Sequence, residues 1–187
     1  MTRLGMFAIV VLMWALPGSV VGTAQDSTAN PDAKRLVEFN ERVEQYLSMR
    51  RKADDGAPVL KETEKPAEIQ TAQLSLATRI RATRTGAKQG DVFTAATAAH
   101  FRRLLRPELD KGTKDSIEED NPGKFPFKVN DTYPEKAPRS TVPPNVLATL
   151  PELPKDQGIE YRFIDKHLIL LDTRANLIVD YLPNAIP

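Results

Sequence analysis

Eight prolines between Pro122 and Pro154 forbid a long helix through that part of the chain. Each proline ring removes a backbone N–H donor and clashes with the preceding turn of a helix. The proline-rich stretch divides the sequence into a helical part before it and a strand-rich part after it. Asn30-Pro31 reads as a helix start, with Asn30 as cap and Pro31 in the first turn. Leu36, Phe39, Val43, Tyr46 and Leu47 then recur at helical spacing, opposite Glu38, Glu41, Arg42, Glu44 and Gln45. This predicts an amphipathic helix ending near Asp54-Asp55-Gly56.

Ala57 to Leu60 reads as a connector. A second helix is predicted from a Thr63 cap and Pro66. Its buried stripe is Ile69, Ala72, Leu76, Ile80 and Thr83, widened by Leu74 and Ala77, with Gly86 as a left-handed stop. Two such helices joined by a short loop form an αα-hairpin. Thr94 caps a third, alanine-rich helix over 95–105, with Phe101, Leu104 and Leu105 on its apolar side. A polar, weakly helical piece follows to Asp120.

Residues 121–158 are a proline-rich connector. Within it Phe127-Lys128-Val129-Asn130 predicts a short edge strand and Thr141 to Ala148 a short helix. Residues 159–187 carry the clearest strand signal: 159–164, an Asp165-Lys166 turn, 167–172, a turn over 173–176, and 177–182. That is a three-stranded antiparallel β-meander. Asp172 and Asp180 read as charges that interrupt apolar runs and discourage aggregation. The helices are the expected cover for one face of this sheet. The predicted class is α+β, with the helical part at 32–120 and residues 32–187 forming one domain.

The N-terminus predicts export. Arg3 precedes an apolar run from Met6 to Leu16, Pro17 and Gly18 break it, and Gly22-Thr23-Ala24 supplies small residues for cleavage after Ala24. Residues 1–24 are thus read as a signal peptide and 25–31 as a polar linker, with no stable membrane span after cleavage. Loss of residues 1–24 removes one charged side chain, Arg3, and leaves 25 basic against 25 acidic residues. A neutral chain lacks the basic surplus that nucleic-acid binding needs. The absence of cysteine excludes thiolate catalysis, disulfide exchange and cysteine-metal sites.

No catalytic, cofactor-binding or metal-ligating residue is assigned from the sequence. The two histidines, His100 and His167, have no ligand-type neighbour at i+4. No serine sits in a strand–turn–helix elbow. The acidic run Glu118-Glu119-Asp120, with Asp115, lacks the ligand spacing of an EF-hand and reads as a solvated turn. Asn130-Asp131-Thr132 is a glycosylation sequon by pattern. The sharpest polar feature is basic: Arg81, Arg84 and Lys88 share a face by i+3 and i+4 spacing at a helix C-terminus, where the dipole favours cations. Pairing with glutamates of the first helix is one role for them. Contact with an envelope protein or an anionic envelope component is the other.

The run Gly86-Ala87-Lys88-Gln89-Gly90-Asp91-Val92-Phe93-Thr94 precedes a helix ending Phe101-Arg102-Arg103-Leu104-Leu105. With Glu160 to Ile164, Leu168 to Asp172 and Ala175 to Asp180, it resembles a family of exported bacterial proteins that has no assigned activity. The resemblance spans most of the mature chain. It implies a bacterial envelope or secreted location and transfers no catalytic residue.

The functional expectation is a periplasmic or secreted, non-enzymatic binding or accessory module. The alternative is a hydrolase of unrecognised family acting on an envelope polymer, with His100, Glu118 and Asp172 as candidate groups. A third expectation is assembly through the terminal apolar strand Leu177–Leu182, which could extend another chain's sheet.

Overall fold

A computed structural model describes residues 30–55, 64–134 and 137–187. The expected signal peptide, most of the linker, the Ala57–Leu60 connector and the Thr63 cap lie outside the described residues. The elements in order are α1 (Pro31–Asp54), α2 (Pro66–Thr83), α3 (Ala95–Leu105), a 3₁₀ turn (Arg106–Glu108), α4 (Lys111–Glu119), α5 (Pro144–Thr149), β1 (Ile159–Ile164), β2 (His167–Asp172) and β3 (Leu177–Leu182). This is the expected α+β layout.

Local chemistry accounts for the helix starts. The Asn30 side chain accepts from the Asp32 N–H, Thr94 from the Thr97 N–H, and Asp110 from the Thr113 N–H. Each satisfies a donor that a helix start leaves unpaired. The start of α2 has no side-chain cap, only Pro66 in its first turn. The predicted stripe of α2 is corrected. Leu76, Ala77 and Ile80 are buried, whereas Ile69 and Leu74 are exposed. Leu74 lies on the opposite side of the helix from Leu76, whereas Ile69 shares the face of Leu76 but sits in the first turn and is exposed there. Gly86 is not the left-handed stop, since among the described glycines positive φ occurs at Gly90, Gly123 and Gly158.

The sheet order is β1-β2-β3, antiparallel throughout. β1 pairs with β2 from Ile159↔Asp172 to Ile164↔His167. Between β2 and β3 the register shifts: Leu171 faces Ile178 and Leu170 faces Asp180, so Val179 is the extra residue of a β-bulge.

Both faces of the sheet are covered. Tyr161, Phe163, Leu168, Leu170, Leu177 and Val179 pack with Phe39, Leu47, Ile80 and Phe101 of the helices. Ile164, Ile169, Leu171 and Ile178 form a second cluster with Tyr133, flanked by Phe125, Phe127 and Ala137. The proline-rich connector is therefore a strap over the face that the helices leave open. Residues 127–130 do not form the expected edge strand. A single bridge, Thr132↔Leu177, replaces it. Asn130 N donates to Ile178 O, Ile178 N to Asp131 O, and Tyr133 N to Asn176 O. The outer edge of β3 is thus occupied by this chain itself, which corrects the expectation that β3 is free to extend another sheet.

Candidate functional site

Arg81 and Arg84 leave the last turn of α2 and converge on the strap. Arg81 donates through Nε to Asn130 O at 2.9 Å and through Nη2 to the Thr132 hydroxyl at 2.6 Å. Arg84 donates to Asn130 Oδ1 at 2.8 Å and to Val179 O at 3.3 Å. Val179 is the bulged residue, so Arg84 takes a carbonyl on the strand edge at the bulge. The Arg84 guanidinium also lies 5.1 Å from the centre of the Tyr46 ring. Burial lowers the Arg84 pKa, and the neighbouring Tyr46, Asp91 and Asp180 oppose that shift. Neither arginine bonds a glutamate of α1. Lys88 is exposed. Asn130, the asparagine of the sequon, is held at both ends of its amide, since its Nδ2 donates to Arg84 O at 3.0 Å.

The candidate hydrolase groups are not brought together. Asp172 has no exposure and accepts from the Tyr46 hydroxyl at 2.7 Å, Arg50 at 3.1 Å, and the N–H groups of Arg174 and Ala175. Its acceptor sites are filled by the fold. His100 lies on α3 beside Asp32 and Arg103. Glu118 is exposed on α4. Asp180 is also fully buried and accepts from Gly90, Val92, Phe93 and Tyr181 N–H groups. The two aspartates are internal anchors rather than surface charges that deter aggregation. Among the described residues no three His, Asp or Glu side chains are grouped to hold a metal ion.

A groove of about 680 Å³ with a largely apolar lining runs between β1, α5 and the segment Leu150–Lys155. Val142, Leu147, Leu150 and Leu153 make its apolar walls, while Glu152, Lys155, Glu160 and Arg162 also line it. Leu147 is 50 % exposed. A smaller hollow of about 410 Å³ shares Glu152, Leu153 and Lys155 and reaches Asn40 and Glu44 of α1.

One side of the groove is the outer edge of β1. The Ser140 hydroxyl accepts from Phe163 N at 2.9 Å and donates to Phe163 O at 2.8 Å. That closes the edge at Phe163. Main-chain groups alternate in direction along an antiparallel strand, so Tyr161 and Ile159 turn theirs to the same side. Tyr161 and Ile159 both line the groove, and Tyr161 is 3 % exposed. No hydrogen bond from the other described residues reaches them on that side. The Tyr161 hydroxyl is spent on Pro151 O at 3.1 Å. Sequence reading missed this site, because Ser140, Leu147 and Tyr161 meet only through the path of the strap.

The lining contains no histidine and no serine or cysteine nucleophile. It offers apolar walls, an unpaired strand edge and four charges, a surface suited to holding an extended chain. No family model, curated protein or solved structure matches this chain.

Proposed function

We propose that this protein is a non-enzymatic binding module that works after export, in the periplasm or outside the cell, and that the groove beside β1 receives an extended polypeptide segment of an envelope protein. The observation that carries the reading is the edge of β1 at Ile159 and Tyr161, whose outward main-chain groups have no partner among the described residues and which lines a groove with apolar walls. An added strand would satisfy the main-chain groups of Tyr161, and its alternate side chains would enter the apolar side. Export is supported by the N-terminal apolar segment with its small residues at 22–24. No helix of the described residues is long and apolar enough to cross a membrane.

Selection of displayed random peptides on the folded protein tests the binding role. The expected ligands carry apolar residues at alternate positions. Leu147→Glu should weaken them at least about tenfold without shifting the melting curve, as should N-methylation of the ligand residue opposite Tyr161. A folded protein that selects no peptide, or ligands indifferent to both changes, would sink the proposal. Mass spectrometry of the exported protein should find Gln25 as its first residue.

A further inference from the structure

The two charged residues of the open edge give the groove a direction and a ligand preference. Glu160 and Arg162 flank Tyr161 and line the groove. They lie on one face of β1, and Arg162 Nη2 bonds to the Glu160 carboxylate. Arg162 Nε is buried and has no hydrogen-bond partner. An orphaned guanidinium N–H in a site with an open strand edge is a donor awaiting an acceptor. Arg139 and Arg162 both lie close enough to Tyr133 to oppose the upward push of burial on its phenol, so positive charge gathers at the Arg162 end.

An antiparallel strand paired with β1 places its residues directly opposite those of β1. The ligand residue facing Tyr161 shares the apolar side with it. The residue before it faces Arg162, and the residue after it faces Glu160. Opposite charges at such directly facing positions stabilise a sheet, and like charges destabilise it.

We infer that the groove selects a linear segment reading acidic, apolar, basic, apolar from N- to C-terminus, bound antiparallel to β1 with its first apolar residue opposite Tyr161. This inference rests on the reading of the groove as a polypeptide site. β1 itself reads Glu160-Tyr161-Arg162, the same order of charges, so a second copy is the obvious rival occupant. Pairing two copies about Tyr161 would set Ile159 of one against Phe163 of the other. That edge is already taken by Ser140. A flexible segment can leave the edge at this point, whereas a second folded copy cannot.

Two short peptides test it, with cores Asp-Leu-Lys-Val and Lys-Leu-Asp-Val between identical Gly-Ser flanks, titrated by fluorescence polarisation at low salt. The acidic-first peptide should bind at least about fivefold tighter. The preference should reverse in the exchange variant Glu160→Lys/Arg162→Glu, and Arg162→Gln alone should remove most of it. Melting curves establish that each variant is folded. Equal affinity for both peptides, each lost in Leu147→Glu, would overturn the charge selection and leave the groove reading standing. Tighter binding of the basic-first peptide would overturn the antiparallel placement. Absence of binding by either peptide would count against the groove reading itself. A dimer by light scattering that Arg162→Glu abolishes would assign the edge to a second copy instead.

Discussion

Tyr46 on α1 donates its hydroxyl to Asp172 at the end of β2, 2.7 Å away across 126 positions of sequence. Arg50, one helical turn further along α1, reaches the same carboxylate oxygen at 3.1 Å. Arg50 is 1 % exposed and Asp172 is fully buried. The first helix is therefore fixed to the sheet by a buried ion pair, with Gln157 also within 3.4 Å of Arg50.

Removing one partner of such a contact strands the other charge in the interior. Asp172→Asn should cost about 3–5 kcal/mol, and Tyr46→Phe about 1.5–3 kcal/mol for a hydrogen bond to a charged group. Combining Asp172→Asn with Arg50→Met should cost clearly less than the sum of the two single changes, because neither residue is then left unpaired. Urea unfolding of the four proteins measures this. Strict additivity would show that the two side chains do not act as a unit.

Asp180 makes a prediction about pH. Burial pushes its carboxyl above the usual carboxylate range, and hydrogen bonds from four main-chain N–H groups pull it back without cancelling the rise. The folded protein therefore holds this proton more tightly than the unfolded chain. The stabilisation is complete below the ordinary carboxylate pKa and is lost as pH rises through the folded value. Asp180→Asn lacks it. The stability of the native protein relative to this variant should increase as pH falls from about 7 to about 4. A difference that is flat or shrinks on acidification would contradict the assignment.

Arg84 joins three parts of the molecule: the α2 terminus, the Asn130 amide and the bulge carbonyl of Val179. Arg84→Ala should cost about 2–3 kcal/mol and should speed amide exchange at Asn130 and Tyr133, whose N–H groups donate to Ile178 O of β3 and to Asn176 O just before it. Arg84→Lys should rescue little, since a single ammonium cannot reproduce the planar fork over Tyr46. Unchanged exchange at these two amides would mean that the strap is held without the arginine.

The strands were legible in the sequence and the strap was not, for one reason. Residues 159–182 combine apolar content with turn residues at fixed intervals, and the three strands fall where that pattern puts them. Strap residues are held by contacts between groups far apart in the chain, such as Arg81 with Thr132 and Ser140 with Phe163. The continuous run Leu168-Ile169-Leu170-Leu171 did carry a signal of burial on both faces, because a half-exposed strand alternates. Spacing groups Arg81, Arg84 and Lys88, but i+3 and i+4 positions say only that side chains share a helix face. Two of them face the strap, and Lys88 faces solvent. Arg50 escaped notice because it sits one turn beyond Tyr46 and Leu47 among other basic residues, and only the position of Asp172 on the sheet explains its burial.

The tyrosines supply the last prediction. Tyr46 and Tyr161 are buried, and desolvation raises both phenols well above their usual range. The Asp172 charge and its hydrogen bond raise Tyr46 further, while Arg84 and Arg50 act the other way. In the unfolded chain both would ionise near about pH 10. The folded state is thus favoured below that value, and its advantage falls as pH rises above it. Alkaline titration followed by phenolate absorbance should show these two groups ionising together with the loss of helical circular dichroism, not before it. Tyr46→Phe and Tyr161→Phe should each remove one phenol from that cooperative step. A tyrosine signal complete before any loss of helix would mean that both phenols are open to solvent in the folded protein.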